Sequence, residues 1–163
     1  MPDANAFERV VGALDHPMLI VTTAAGGERA GCLVGFATQC SIDPPRYLVC
    51  VSDKNRTHRV LESGATTIAV HVVPRDAHEL VELFGGETGD DADKFARCAW
   101  SEGPDGVPVL DECGSWFAGR VVETLVLGDH WGRVLEPFDG RAGYEGPAYP
   151  FSRAKRIEPG HEA

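Results

Sequence analysis

Two stretches of this chain carry residue types and spacing suited to holding a flat, phosphorylated heterocycle. The first runs from Gly31 to Pro45: Gly-Cys-Leu-Val-Gly-Phe-Ala-Thr-Gln-Cys-Ser-Ile-Asp-Pro-Pro. It is an extended run notched by glycine, then a small and polar segment, then a rigid double proline. Gly35 lets a flat ligand approach the main chain, whose N–H and C=O groups can pair with a heterocycle edge. Pro44 and Pro45 fix the direction in which the chain leaves. Taken alone, the segment fits a glycine bulge in a strand equally well. The second stretch, Ser52-Asp53-Lys54-Asn55-Arg56-Thr57-His58, sits at the mouth of an expected short helix. The start of a helix offers unpaired N–H groups and partial positive charge, to which Lys54, Arg56 and the Thr57 hydroxyl add. That chemistry suits a phosphate; the bland alternative is a capped helix with a solvated basic face.

The elements that must position these groups follow from pattern. A helix is expected over residues 5–14, opened by the capping box Asn5-Ala6-Phe7-Glu8, with Phe7, Val10, Val11 and Leu14 at helical spacing. Met18 to Thr23 reads as a strand closed by a turn at Ala24-Ala25-Gly26-Gly27, and a second extended run spans 29–40, interrupted at Gly31 and Gly35. Further strands are expected over 46–52, 66–73, 113–127 and 131–136. A helix over 57–63 stops at Gly64, and another opens at the capping box Asp76-Ala77-His78-Glu79. Residues 85–93 read as an acidic, glycine-rich loop, and Gly128-Asp129-His130 as a turn. The tail from Pro137, rich in Gly and Pro, is expected to wrap the surface or a partner. Six or seven strands and three short helices without β–α alternation exclude a doubly wound parallel sheet and favour an antiparallel barrel with helices outside.

Composition narrows the partners. At 163 residues, 43% hydrophobic and 25% charged, the chain has the size and make-up of one ordinary globular domain. A net charge of −10 argues against general nucleic-acid binding. The basic residues gather locally, at 54–59 and in Arg153-Ala154-Lys155-Arg156, which suits a small anionic ligand. The five cysteines include no CxxC pair, so neither a zinc knuckle nor a disulfide framework is expected, and no metal site. No signal peptide is visible at the N-terminus and no run approaches the ~20 apolar residues of a membrane span, so a cytoplasmic protein is expected.

The order of these motifs resembles the flavin reductase-like family of FMN-binding split β-barrels. The likeness rests on the Gly-notched strand, Ser41-Ile42-Asp43-Pro44-Pro45, Lys54-Asn55-Arg56-Thr57, Asp93-Lys94-Phe95, Gly106 to Leu110 and Gly128-Asp129-His130, and spans about residues 6–137. The resemblance implies one domain, a barrel over 5–137 with a tail over 138–163, working as a homodimer. It implies an isoalloxazine resting on Leu33, Val34, Gly35, Phe36, Gln39, Cys40 and Ser41, largely through main chain. It implies a phosphate at Lys54, Asn55, Arg56 and Thr57, and His130 facing the nicotinamide side as the catalytic candidate. The implied activity is hydride transfer from NAD(P)H to FMN or FAD, with reduced flavin passed to a partner monooxygenase. Relatives often carry Thr, Asn or Ser where Leu33, Gly35 and Phe36 stand here, which leaves FMN, FAD and a deazaflavin all open. Three other readings stay beside it: an oxidoreductase that keeps a bound flavin or deazaflavin and reduces another acceptor, a non-catalytic flavin carrier or electron-transfer module, and a barrel that no longer binds flavin. His71 and His78 are expected to be structural, and His16, His161 and the three tryptophans incidental to the site.

Overall fold

The computed structural model describes residues 2–86 and 93–157. Helix α1 (Ala6–Ala13) leads into strands β1 (Leu19–Ala25), β2 (Glu28–Val34), β3 (Ala37–Ser41) and β4 (Arg46–Ser52). After α2 (Arg56–Glu62), β5 (Thr67–Val72) and α3 (His78–Gly86) come the short strands β6 (Trp100–Glu102) and β7 (Pro108–Leu110). The long strands β8 (Ser115–Val126) and β9 (His130–Ala142) and the one-turn helix α4 (Phe151–Ala154) complete the described chain. The antiparallel architecture expected from the pattern is present, as a seven-stranded sheet in the order β2-β1-β5-β8-β9-β4-β3.

That order forces the sheet to curl. β2 and β3 form opposite edges, yet only Gly35 and Phe36 separate them. Laid flat, seven strands would hold those edges roughly 29 Å apart, whereas the link from Val34 to Ala37 reaches at most about 11 Å. The two edges therefore meet at a seam, and Cys32 and Val34 share one apolar cluster with Val49 and Val51. Gly26 and Gly27, at φ 57° and 81°, make the two-residue turn between β1 and β2, a conformation that suits glycine.

β1 is buried along Leu19–Thr23 because both its faces are covered. Leu19 and Val21 point into the cluster with Ile68, Val70 and Leu135 inside the curl. Met18 and Ile20 join a second cluster with Val81, Phe84, Phe95 and Tyr149, under α3 and the C-terminal segment. This is the two-residue alternation of a strand serving two cores. Lys94, buried beside this second core, donates to the main-chain carbonyls of Gly31 and Phe84 at 3.2 and 3.1 Å, so its charge pins β2 to α3.

Several expectations need correction. Asn5 makes no side-chain cap to α1, so the first capping box is not formed. Gly31 does not interrupt β2; it pairs in register with Thr22. The strand expected over 131–136 continues to Ala142, with a register shift where Gly119 faces Pro137. Beyond β9 the tail does lie over the rest of the chain, as expected, and is tied down by main-chain bonds: Met18 N–H donates to Tyr149 O, Tyr149 N–H to Val73 O and Phe151 N–H to His16 O, each at 2.8 Å. The chain from 147 to 151 is thus a strap stitched across the curled sheet, with the Tyr149 ring fully buried. The β6–β7 hairpin was not foreseen. Of the loop expected over 85–93, Gly85 and Gly86 close α3 and Asp93 caps a short 3₁₀ turn; the rest lies outside the described residues.

His71 is structural, as expected. Its ring is fully buried, Nδ1–H donates to Ile20 O at 2.9 Å, and Nε2 accepts from the Leu110 N–H at 3.1 Å. A proton on Nε2 would lose that acceptor, and burial pushes the pKa down to about 4 from 6.5. The unfolded chain then binds the extra proton and the native state does not, so stability is complete above about pH 6.5 and falls as pH drops towards 4. At about 1.4 kcal/mol per pH unit, the loss is about 3 kcal/mol. Urea unfolding across that range should show this slope, and His71→Gln should flatten it.

Candidate functional site

The seam holds a cavity of about 380 Å³, within the range of roughly 300–1,000 Å³ typical of small-molecule sites. Leu33, Val34, Gly35 and Phe36 form one wall, where the chain crosses from one sheet edge to the other. Cys50, Val51 and Ser52 of β4 form a second, and the Phe36 carbonyl accepts the Cys50 N–H at 2.9 Å, closing the seam above it. Asn55, which caps α2 by accepting the Thr57 N–H at 3.0 Å, and His130 add polar groups beside Ser52. Ser52 and His130 face each other across the β4–β9 ladder.

The cavity therefore has a large apolar lining with a small polar cluster at one end. That donor and acceptor set fits a flat ring with a polar edge. The Gly128-Asp129-His130 turn is tied to the loop before α2, because the Asp53 N–H donates to Asp129 O at 2.9 Å. His130 Nδ1 lies 2.8 Å from the Asp129 carboxylate. A carboxylate only accepts, so Nδ1 carries the hydrogen and Nε2 is left for another partner. The same bond holds the Asp129 carboxyl below its ordinary range. The imidazole packs at 5.0 Å and 59° against Phe36, a side chain 60% exposed.

Of the residues singled out by sequence, Leu33, Val34, Gly35, Phe36, Asn55 and His130 come together in the cavity wall. Gln39, Cys40 and Ser41 lie further along β3, the first two exposed, outside that wall. Lys54 and Arg56 flank Asn55 without lining the cavity, and Arg56 pairs with Glu28 at 3.4 Å on an outer surface. Thr57 is fully buried beside Cys32, one layer behind the wall. Burial raises the Cys32 thiol pKa, and the Thr57 hydroxyl partly offsets this.

Other wall residues carried little signal. Met18 lies in the wall, and the C-terminal segment contributes Phe151, Ala154, Lys155 and Ile157. The one hint was the basic run 153–156. His16, expected to be incidental, donates from Nε2 to Gly35 O at 3.2 Å and packs at 4.7 Å on Phe151. Its neighbour Asp15 accepts from the Ser152 N–H and hydroxyl at 2.9 and 2.8 Å. Together they clamp the strap onto the glycine notch. Trp100, Trp116 and Trp131 lie outside the wall, with Trp131 packed on His58. Among the described residues, no three His, Cys, Asp or Glu side chains converge as a metal site.

A model of the flavin reductase like domain matches residues 11–155. The chain belongs to the flavin reductase-like family. Within it, the chain is 32% identical over 124 residues to the FMN reductase (NADH) RutF of Bradyrhizobium diazoefficiens, covering 76% of this chain and 68% of that protein. It is 26% identical over 132 residues to the stachydrine N-demethylase reductase subunit Stc3 of Rhizobium meliloti, covering 78% of this chain and 54% of that one. The fold matches the flavin reductase domain protein of Arthrobacter sp. FB24 with a TM-score of 0.80 at 22% identity, over 91% and 90% of the two chains. In this flavin reductase-like domain, Asn55 at the start of α2 and His130 of the Gly-Asp-His turn line the same cavity.

Proposed function

We propose that this domain is an NAD(P)H-dependent flavin reductase that seats FMN, or FAD, in the seam cavity and passes it a hydride. The observation that carries the proposal is the convergence of the Gly35–Phe36 crossing, the Ser52–Asn55 corner and His130 on one cavity. A flavin held there would supply the hydride-accepting chemistry. The work left to the chain is to bind, align and dry the two rings. The main chain of Leu33 to Phe36 offers polar groups for the ring edge, and Met18, Val51 and Phe151 exclude water. The phosphate would lie at the Ser52–Asn55 corner of the α2 mouth, with Lys54 beside it, while Arg56 is turned to Glu28 outside this wall. His130, oriented by Asp129, presents Nε2 to the nicotinamide carboxamide or to charge on the reduced ring.

The sheet is inferred to form the split barrel of the family and to work as a homodimer. Exposed Phe7 and Val10 on α1, Leu14 just after it, and Val122 and Val126 on β8 are apolar surfaces that a second copy would cover. A dimer by light scattering at micromolar concentration is expected. The Stc3 relative is named as the reductase subunit of an N-demethylase, which supports a role in supplying reducing equivalents to a separate partner protein, here inferred to be a monooxygenase. No helix among the described residues is long and apolar enough to cross a membrane.

Oxidation of NADH or NADPH, followed at the nicotinamide absorbance band with FMN or FAD added, tests the proposal; no turnover with any pair overturns it and leaves the carrier reading. His130→Ala should lower kcat/KM about tenfold, the effect of losing one hydrogen bond worth about 1.4 kcal/mol to the reacting rings. Flavin affinity should change less, because His130 is assigned to the nicotinamide side.

A further inference from the structure

The C-terminal segment has two faces, and the flavin cavity uses only one. Phe151, Ala154 and Lys155 look into the seam, while Arg153 and Arg156 line a separate depression of about 530 Å³ on the far side, the two cavities sharing Ile157. His78 and Glu82 from α3, with the hydroxyl end of Tyr149, complete the second lining. We propose that this depression is an anion subsite for the phosphate-bearing adenylate arm of a dinucleotide whose reactive end lies in the seam. The proposal rests on the flavin reductase reading for that second half.

The chemistry favours an anion. The chain carries a net charge of −10, yet two arginines, Arg153 and Arg156, line this one depression. Against such a field, a local cationic pocket draws in small anions. Arg153 is already oriented: it donates to Arg75 O at 2.8 Å, and its guanidinium stands 5.0 Å from the centre of the buried Tyr149 ring. Holding one fork in place lowers the ordering cost of a bidentate phosphate contact. The acid in the wall, Glu82, is engaged by His78 Nε2 at 3.0 Å, and His78 Nδ1 is 2.6 Å from the Tyr149 hydroxyl. This chain of contacts turns the Glu82 charge towards His78.

The position favours a dinucleotide. A mononucleotide is satisfied within the seam, whereas NADH, NADPH and FAD each carry a second nucleotide that must leave it. A ligand arm passing over the one-turn α4 crosses about one helix diameter, ~10 Å, and meets Arg153 and Arg156. The adenylate could come from the nicotinamide substrate or from FAD; the subsite chemistry is the same.

The test has a binding arm and a kinetic arm. Isothermal titration with ADP and with adenosine 2′,5′-bisphosphate should show binding to the wild-type protein. Arg156→Glu, a change at an exposed turn position, should weaken it about tenfold, as for loss of one charge-assisted contact worth about 1.4 kcal/mol. In turnover, the ratio of KM for NADH or NADPH to KM for reduced nicotinamide mononucleotide should rise about tenfold in Arg156→Glu if the arm is the nicotinamide's. If the arm is the flavin's, the ratio of KM for FAD to KM for FMN rises instead. Arg156→Lys should recover part of either effect. Absence of ADP binding, or binding and ratios unmoved by Arg156→Glu, overturns the subsite. If no flavin is reduced but ADP binds in an Arg156-dependent way, the reductase reading fails and the anion subsite stands.

Discussion

Tyr149→Ala should cost about 4 kcal/mol of stability, the range measured when a large buried aromatic ring is cut to alanine. Tyr149 is 0% exposed and sits in the core cluster with Met18, Ile20 and Val73. Its main chain bridges Met18 and Val73, so the ring packs where the strap crosses β1 and the end of β5. Deleting it leaves a void under the strap and removes the partner of His78 Nδ1. Thermal unfolding should fall by on the order of 10 °C for a domain of this size. Tyr149→Phe keeps the ring and loses only the hydroxyl bond, so it should cost about 1 kcal/mol. Because the strap also walls the seam, flavin affinity should fall with Tyr149→Ala and hold with Tyr149→Phe. An alanine variant as stable as wild type would mean that the C-terminal segment does not dock.

Gly35→Leu should reduce FMN affinity on the order of a hundredfold, equivalent to about 2.7 kcal/mol, with the fold intact. Gly35 does not have a left-handed backbone, so a side chain causes no backbone strain there. An added Cβ would meet Met18 Cε at 3.4 Å, an ordinary contact at the edge of tightness. The remaining branched carbons would then stand beside Met18, in the wall against which the ring is placed. The penalty falls on the ligand rather than on folding. Titration of FMN fluorescence against each protein measures it, with circular dichroism reporting the fold. Equal affinity in the variant would move the flavin away from the glycine notch.

Much of this was legible in the chain, for identifiable reasons. Strands such as Arg46–Ser52 announce themselves because β-branched residues, Tyr and Leu run between strong breakers, Pro45 and the Asp53–Asn55 turn. The notch at Gly35-Phe36 was legible as a break, but its consequence was not: only the strand order reveals that the break joins opposite edges of the sheet. Pro137 read as a terminator, yet it sits at a register shift opposite Gly119, where a missing N–H is tolerated and β9 runs on. The β6–β7 hairpin escaped because three-residue strands carry no periodicity. In the site, Asn55 and His130 were found through local motifs. Phe151 and Lys155 were not, because they reach the cavity through a C-terminal segment more than 110 residues from Gly35 in sequence, and only tertiary docking brings them there; His16 was missed because its bond to the Gly35 carbonyl also forms only once the chain is folded. Thr57 shows the converse: a residue apt for phosphate by type is turned inward by the α2 cap and packs beside Cys32.

A crystal structure of the protein grown with FMN is the most direct measurement. Flavin binding at the seam predicts the tricycle lying along the main chain of Leu33 to Phe36, its phosphate at the Ser52–Asn55 corner and His130 on the open side. Density for FMN elsewhere, or a seam closed by the Leu33 and Phe36 side chains at saturating FMN, would contradict it.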